Sequence, residues 1–311
     1  MTTKTAAAKR LHPVRRTPTT HARRRESLTA LGMATPAVVL LIVFLVVPVA
    51  LAFALAFTDA RLISPTPARF VGLRNFTQLF EDPVFYKSLR NTAYFAAVVV
   101  PLQAGLALVL ALLVNAKVRG VHFFRTVYFL PVVTSMVVVS LLWTFLYRKD
   151  GLVNHVISTL TLGHFQGPDW LGDPATAMPA IILMSVWQGV GFHVIIWLAG
   201  LQTIPAELYE AAALDGATTW HRFWHVTWPG LRSTRTFVLV TITIAAFSLF
   251  TQIRVMTQGG PLDSTTTVVY QAVRTGYDQQ QTAYAAAISL VFFVLVLTVS
   301  LVQRFLTREK D

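Results

Sequence analysis

The sequence predicts an all-α integral membrane protein with six transmembrane helices, cytoplasmic N- and C-termini, and cytoplasmic helices between helices four and five. Three observations predict this fold. Only 13% of the 311 residues are charged, whereas a soluble domain carries about 25%. The charges are clustered, so that long charge-free runs remain between them. Lysine and arginine are also distributed unevenly among the segments that separate these runs.

Six of the charge-free runs have the length and composition of membrane spans, since about 20 apolar helical residues cross the hydrocarbon core. Backbone groups in lipid must pair within their own segment, which makes each run helical. The predicted spans are 33–57, 91–114, 122–146, 177–202, 233–254 and 282–303. A further charge-free run, 151–168, is interrupted by glycines and Pro168. It is predicted to be part of an external loop with room for one short helix.

The orientation follows from the positive charges, because Lys and Arg are enriched in cytoplasmic segments. Seventeen of the 26 Lys and Arg residues fall in the segments 1–32, 115–125, 203–235 and 304–311. These segments are therefore predicted to be cytoplasmic. The external segments are then 58–90, 147–176 and 257–278. A positive charge spread over four short membrane-flanking segments does not indicate a nucleic-acid site.

The N-terminal end combines a basic arm, 1–32, with the apolar stretch 36–57. The arm is predicted to be disordered and the tail 304–311 to be a basic cytoplasmic end. The apolar stretch is longer than the 7–15 residues of a signal-peptide core, so it is predicted to remain as the first helix. In the external segment that follows, residues 71–89 have an amphipathic pattern typical of an interfacial helix.

The segment 205–229 is too polar to cross a bilayer and predicts a helix, a turn and a second helix. Pro205 suits a first helical position, and Gly216 can adopt the left-handed conformation that ends a helix. The second helix would expose Trp220, Phe223 and Trp224, and Pro229 would end it. Exposed aromatic side chains indicate either a partner surface or an anchor among lipid headgroups, and the residues alone leave both open.

Several motifs resemble those of permease subunits in ABC importers. The spacing from Glu-Ala-Ala (210–212) to Gly216 and Pro229 resembles the cytoplasmic EAA loop of these subunits. The stretches FVGLRNF (70–76), GLQTIPAELYEAA (200–212) and MTQGGP (256–261) resemble the sugar and sn-glycerol-3-phosphate type. The similarity covers most of the chain from about residue 30. We name residues 205–229 the coupling segment.

The resemblance implies a permease that is half of the pathway for a carbohydrate, glycerol 3-phosphate or glycerophosphodiester in a bacterial plasma membrane. The implied partners are a second permease, two ATP-binding subunits, an extracytoplasmic binding lipoprotein and the bilayer. The chain lacks a GxxxxGK[ST] phosphate loop, so ATP and Mg are expected on the ATPase and no cofactor on this chain. The implied coupling residues are Glu210, Ala211, Ala212, Asp215, Gly216, Ala217, Trp220, Phe223, Trp224 and Pro229.

Within this family, the coupling segment sits in a cleft on the ATPase and transmits its ATP-driven closure. Glu210 would hold the segment by a hydrogen bond or ion pair, and Gly216 would form the turn. The alanines would permit close packing, and the three aromatic residues would fill the partner's groove.

Polar and aromatic residues within the predicted spans are candidates for the solute pathway, because they are costly in lipid unless they face a cavity or a neighbour. The candidates are Trp187, Gln188, Phe247, Ser248, Thr251, Gln252 and Arg254. Aromatic faces, amides and hydroxyls suit a sugar. Hydroxyls in membrane helices also commonly bond a backbone carbonyl or a neighbouring helix. His193 is interpreted as a packed, hydrogen-bonded histidine.

Arg254 has two interpretations. A desolvated arginine suits bidentate binding of phosphate, which would favour a glycerol phosphate or its diester as the solute. Alternatively, Arg254 extends to the outer headgroups or pairs with Asp263 or Asp278.

Two other function classes compete with the importer. An ion-coupled secondary transporter predicts acidic residues within the spans, yet the six predicted helices contain no Asp or Glu. An integral-membrane enzyme predicts a catalytic constellation, whereas the histidines are scattered and the sequence has no cysteine.

Overall fold

A computed structural model describes residues 20–64, 67–115, 121–164 and 167–307, which are predominantly helical. The helices in chain order are α1 (Thr20–Leu41), α2 (Val47–Leu55), α3 (Arg74–Glu81), α4 (Pro83–Asn115), α5 (Val121–Val133), α6 (Met136–Leu146), α7 (Leu152–Leu160), α8 (Ala177–Gln202), α9 (Ala206–Leu214), α10 (Thr219–Arg222), α11 (Trp228–Gly230), α12 (Arg232–Phe247), α13 (Thr251–Met256), α14 (Val268–Val273) and α15 (Thr282–Thr307). Three π-helical turns, Ile42–Val46, Phe223–Thr227 and Arg274–Asp278, follow α1, α10 and α14.

The membrane-spanning character predicted for the chain is confirmed in the described residues. Five helical spans are long and apolar enough to cross a bilayer, and a bent pair provides a sixth if it counts as one span. The five are Leu31–Leu55, Pro83–Asn115, Ala177–Gln202, Arg232–Met256 and Thr282–Gln303, and the bent pair is Thr126–Val133 with Met136–Leu146. The protein is therefore an all-helical, multi-pass membrane protein.

The N-terminal arm differs from the disordered segment that the sequence predicted. Residues 20–32 are helical and form the first part of α1, which begins at Thr20. This part of the arm follows Pro18 and is rich in Arg, Ala and Leu, which favour helix. Residues 1–19, the predicted cytoplasmic turn at 116–120 and the tail end 308–311 lie outside the described residues.

The predicted interfacial helix, 71–89, is divided in the structure. Its first part is α3, and its second part belongs to α4, which begins eight residues before the predicted span at 91. The division lies at Asp82, whose carboxylate accepts a hydrogen bond from the Val84 amide at 2.8 Å. Pro83 lacks an amide hydrogen and suits a helix start. Together they begin a new helix where the sequence pattern indicated a continuous one.

The third predicted span, 122–146, is broken between α5 and α6. The helix axis bends by 108° between the two parts. Pro131 removes one hydrogen bond from the last turn of α5, and Ser135 has an extended ψ of 132°. The bend therefore lies just after the proline.

Residues up to Ala52 and residues from Phe53 form two compact units, and the main core lies within the second. Small residues on α4, such as Ala107 and Ala111, are fully buried, and α4 and α8 pack extensively. Gly191 on α8 permits close approach of α5, because a Cβ atom there would lie 2.0 Å from the Tyr128 carbonyl oxygen.

A second, smaller cluster joins α3, α4, α14 and α15. Asp82 organises it, because its other carboxylate oxygen accepts hydrogen bonds from Gln271 at 3.0 Å and from the Tyr284 hydroxyl at 2.9 Å. Ser88 donates to the Gln271 side-chain oxygen at 2.8 Å. Polar contacts from three helices thus converge on one carboxylate.

We expect Tyr284→Phe to destabilise the folded protein by about 1–3 kcal/mol, because it removes a donor from a charged, partly buried acceptor. The measurement is the unfolding midpoint in mixed detergent micelles. Tyr277→Phe is the matched control, since Tyr277 is 68% exposed and should change the midpoint little. Equal midpoints for the two variants would contradict this account of the cluster.

Candidate functional site

The first half of the coupling segment is the helix α9, which ends in a tight turn. Pro205 precedes the helix in an extended conformation, with ψ of 135°. At the other end, the Ala217 amide donates to the Ala212 carbonyl at 2.9 Å, and the Gly216 amide donates to Ala213 at 3.1 Å. This pair of bonds is a Schellman motif. It requires a left-handed residue, and Gly216 has φ of +74°.

The second half of the coupling segment is helical from Thr219 to Gly230. Thr218 caps it by accepting a hydrogen bond from the His221 amide. Pro229 lies within the final helical turn, and the helix ends one residue later at Gly230, with Leu231 as its cap before α12. The Tyr209 hydroxyl lies 3.0 Å from the Thr227 hydroxyl. This contact joins α9 to the second half, so the segment is a hairpin of two helices.

The aromatic residues of the coupling segment divide into two groups. Phe223 and Trp228 pack against the main core, and the guanidinium of Arg235 lies 4.6 Å from the Trp228 ring centroid. Trp220 and Trp224 face outward with 67% and 42% exposure. Their ring centroids lie 5.6 Å apart in an edge-to-face arrangement. The core-packed pair therefore supports an exposed pair of tryptophans.

The polar and small residues of the motif are arranged on the surface of this hairpin. Glu210 and Asp215 are exposed, and neither makes an ion pair or side-chain hydrogen bond with another described residue. Ala211 is exposed, and Ala212 and Ala217 are half-buried beside the turn. The carboxylate of Glu210 is thus free to bond a group outside the described part of the chain.

A cavity of about 220 Å³ lies between α4, α8 and α12. Gln103 and His193 form a hydrogen bond across it, with 2.9 Å between the amide nitrogen and Nδ1. The same Nδ1 also lies 3.0 Å from the Gly189 carbonyl oxygen, and Nε2 lies 3.5 Å from the Thr241 hydroxyl, so both ring nitrogens have polar neighbours. His193 is therefore a packed, hydrogen-bonded histidine.

Three further polar side chains line this cavity: Ser185, Gln188 and Gln252. The Ser185 hydroxyl is buried and has no hydrogen-bond partner among the described residues, although a buried polar group normally has one. Gln188 and Gln252 are half-buried, and neither side chain bonds another residue in the described stretches. All three groups are therefore available to bind the hydroxyls of a ligand.

The structure does not bring the whole predicted pathway together. Gln188 and Gln252 line the cavity, but Trp187 faces away and packs edge-on against Trp143 at 5.4 Å. Phe247 and Ser248 line a separate pocket toward α14 and α15. The Ser248 hydroxyl donates to the Ile244 carbonyl at 2.9 Å. Thr251 begins α13 and is half-buried.

Arg254 makes a two-pronged ion pair with Asp278. Its two terminal nitrogens lie 2.5 and 3.3 Å from the carboxylate oxygens. The hydrogen bond from Arg254 lowers the pKa of Asp278 below its ordinary value. The neighbouring Arg274 lies 3.6 Å from Asp263. The guanidinium of Arg254 is thus already bound to a carboxylate.

Gln103 and Ser185 were missed in the sequence, although both line the cavity. Gln103 offered a signal, because it is an amide inside the apolar stretch 91–114. Ser185 offered a weaker one, since a lone serine in a membrane helix commonly bonds its own backbone.

Comparisons with known proteins identify relatives of this chain. The family described as "Binding-protein-dependent transport system inner membrane component" matches residues 103–310. The chain is 36% identical over 280 residues to the lactose transport system permease protein of Rhizobium radiobacter, covering 88% of this chain and 92% of that protein. It is 34% identical over 247 residues to the sn-glycerol-3-phosphate transport system permease protein of Yersinia pestis bv. Antiqua (strain Antiqua), covering 78% and 82%.

A solved structure has a similar fold. It is that of a bacterial alginate ABC transporter in complex with an alginate pentasaccharide-bound periplasmic protein. The TM-score is 0.78 at 23% identity, with 92% of this chain and 96% of that chain covered.

Proposed function

The chain belongs to the family of binding-protein-dependent transport system inner membrane components, and we propose from this that it is one of two permease subunits in an ATP-driven ABC importer. The match of the family over residues 103–310 carries the proposal. The solute is a carbohydrate or a glycerol-phosphate-type compound, in keeping with relatives named for lactose and sn-glycerol-3-phosphate. The chain is a transport component, and its partner subunits hydrolyse ATP.

The orientation that we propose places both termini and the coupling segment in the cytoplasm of a bacterial cell. The excess of Lys and Arg in four alternate segments supports it. A second permease, two ATP-binding subunits and an external binding lipoprotein complete the transporter. The periplasmic protein in complex with the related alginate transporter supports the last of these partners.

The coupling segment is the site at which we propose that the ATPase docks. Trp220 and Trp224 extend from a hairpin whose own aromatic residues are packed beneath them. Large exposed aromatic side chains on a rigid support are suited to fill a groove on a partner. Glu210 adds a carboxylate that can bond a partner group. Closure of the ATPase subunits would then move α9 and the helices attached to it.

The cavity between α4, α8 and α12 is the part of the solute pathway that we propose for this chain. Ser185, Gln188 and Gln252 would bond hydroxyl groups of the solute, and Gln103 and His193 would hold one wall rigid. Three other predicted pathway residues do not line this cavity: Phe247, Ser248 and Thr251. A second permease would close the remaining side.

Reconstitution tests this function. The chain would be produced with its sister permease, ATPase and binding protein, and placed in liposomes. The assay measures uptake of labelled lactose and glycerol 3-phosphate with internal ATP. Uptake of a solute that requires ATP and the binding protein supports the importer. Full activity of this chain alone, without ATP, would instead indicate a secondary transporter.

We expect Arg254→Ala to leave uptake within about threefold of the wild-type rate, because its charge is already bound to Asp278 and exposed ion pairs contribute little. Initial rates for glycerol 3-phosphate and for a neutral sugar provide the measurement. Selective loss of the phosphorylated solute would restore Arg254 as a phosphate-binding residue. Asp278→Ala is the control, because it removes the ion pair and keeps the arginine.

A further inference from the structure

The outer ends of α4 and α8 and the loop at 262–264 enclose a pocket of about 440 Å³. Its lining includes Lys87, Arg90, Tyr94, Met178, Pro179 and Ser264. This pocket is separate from the cavity between α4, α8 and α12. It would face the outside of the cell in the orientation proposed above.

The charge of the pocket is positive, since Lys87 and Arg90 line it and no carboxylate does. The Lys87 ammonium donates one hydrogen bond to the Leu262 carbonyl, which leaves two of its donors unused. Arg90 is exposed and makes no ion pair within the described stretches. The acidic residue nearest in sequence to the loop lining, Asp263, lies 3.6 Å from Arg274. Two cations therefore share a pocket without a compensating acid.

The remaining lining adds polar and apolar features. The Ser264 hydroxyl is buried and has no hydrogen-bond partner in the part of the chain that the structure describes, and such a group normally requires one. Tyr94 is 47% exposed, and Met178 and Pro179 line the same pocket. A ligand with an anionic group, a hydroxyl and a C–H face would match all three features.

The pocket and the inner cavity share two helices. Both are lined by α4 and α8, and Phe95, which lines the cavity, directly follows Tyr94. From Tyr94 to Gln103 the helix rises by about 14 Å. A solute that entered between these helices would therefore meet the pocket before the cavity.

We propose that this pocket is an outer recognition site for an anionic solute, namely an acidic sugar or a phosphorylated polyol. Arg90 binds the anionic group in a bidentate manner, as guanidinium groups bind phosphate and carboxylate, and Lys87 supplies the second charge. Ser264 bonds a hydroxyl and Tyr94 covers the carbon skeleton. The inference rests on the importer function and narrows its solute to compounds that carry a negative charge.

The test uses the complete transporter in nanodiscs, without the binding protein, and equilibrium dialysis of labelled ligands. Glycerol 3-phosphate and glucuronate are compared with glycerol and glucose. We expect each charged ligand to bind at least tenfold more tightly than its neutral counterpart, with affinity falling as salt rises. Arg90→Ala should weaken the charged ligands at least tenfold, and Arg90→Lys should restore part of the loss.

Arg69→Ala is the matched control, because Arg69 is an exposed arginine outside this pocket. Equal binding of charged and neutral ligands, or unchanged binding by Arg90→Ala, overturns the proposal. A third result also overturns it: Arg90→Glu leaves ligand binding unchanged and weakens only the stimulation of ATP hydrolysis by the binding protein. The pocket would then bind a carboxylate of the binding protein and not a solute. If wild-type uptake needs no ATP, the importer function itself fails, and this inference fails with it.

Discussion

Replacing Trp220 and Trp224 together by alanine is expected to separate the permease from its ATPase and to lower ATP-driven uptake at least thirtyfold. The two rings are exposed, in mutual contact and supported from beneath by Phe223 and Trp228. Aromatic side chains at the centre of an interface commonly contribute 2 kcal/mol or more each, and about 1.4 kcal/mol corresponds to tenfold in affinity. The loss should lie in assembly, because neither ring is part of the buried core.

Co-purification of the ATPase with the tagged permease in detergent measures this effect directly. Phe70→Ala is the matched control, because Phe70 is 79% exposed in the segment that is proposed to be external. It should retain the ATPase in full. If the tryptophan variant also retained it, the rings would act as anchors among lipid headgroups, the alternative that the sequence left open.

The coupling segment shows which structural features a local sequence pattern can predict and which it cannot. The turn at Gly216 could be predicted, because a glycine after an alanine-rich helix satisfies the helix end in only a few ways. The different burial of Phe223 and Trp224 could not, because it depends on the main core against which Phe223 packs. The residues of that core come from helices that are distant in sequence, so no local period specifies the contact.

The positions of the membrane spans could be predicted from the sequence, whereas most of their interruptions could not. Lipid requires long apolar helices, so composition alone located them. The break between α5 and α6 depends on which carbonyls remain unpaired beside Pro131, and that depends on neighbouring helices. The division at Asp82 had a local signal, because the Asp82 carboxylate accepts from the Val84 amide and Pro83 suits a helix start. The contacts of Asp82 with Gln271 and Tyr284 had none, because those residues are distant in sequence.

The candidate pathway illustrates the same limit. The sequence predicted one continuous helix over 233–254, but the chain leaves the helix between Phe247 and Thr251. This break directs Ser248 and Gln252 to different pockets. Gln252 instead lines the same cavity as Gln188 of α8, and no local pattern in the sequence specifies that they share it.

The double replacement of Gln188 and Gln252 by leucine is expected to reduce uptake of the transported solute by about 10- to 100-fold. Both amides line the cavity without partners among the described residues, so they are available to bond a hydroxyl-bearing solute. A binding site that loses its hydrogen-bonding groups loses about 1–3 kcal/mol for each polar group left unpaired on the ligand. Leucine keeps a similar volume, so the helices should pack as before.

The decisive comparison is between uptake and ATP hydrolysis in the same proteoliposomes. Uptake should fall while basal hydrolysis stays within about twofold, because the coupling segment is unchanged. Gln202→Leu is the matched control, since Gln202 is an exposed glutamine at the far end of α8, outside the cavity. A parallel loss of uptake and hydrolysis would mean that the glutamines hold the bundle together and do not contact the solute. Unchanged uptake would move the pathway to another face of this chain.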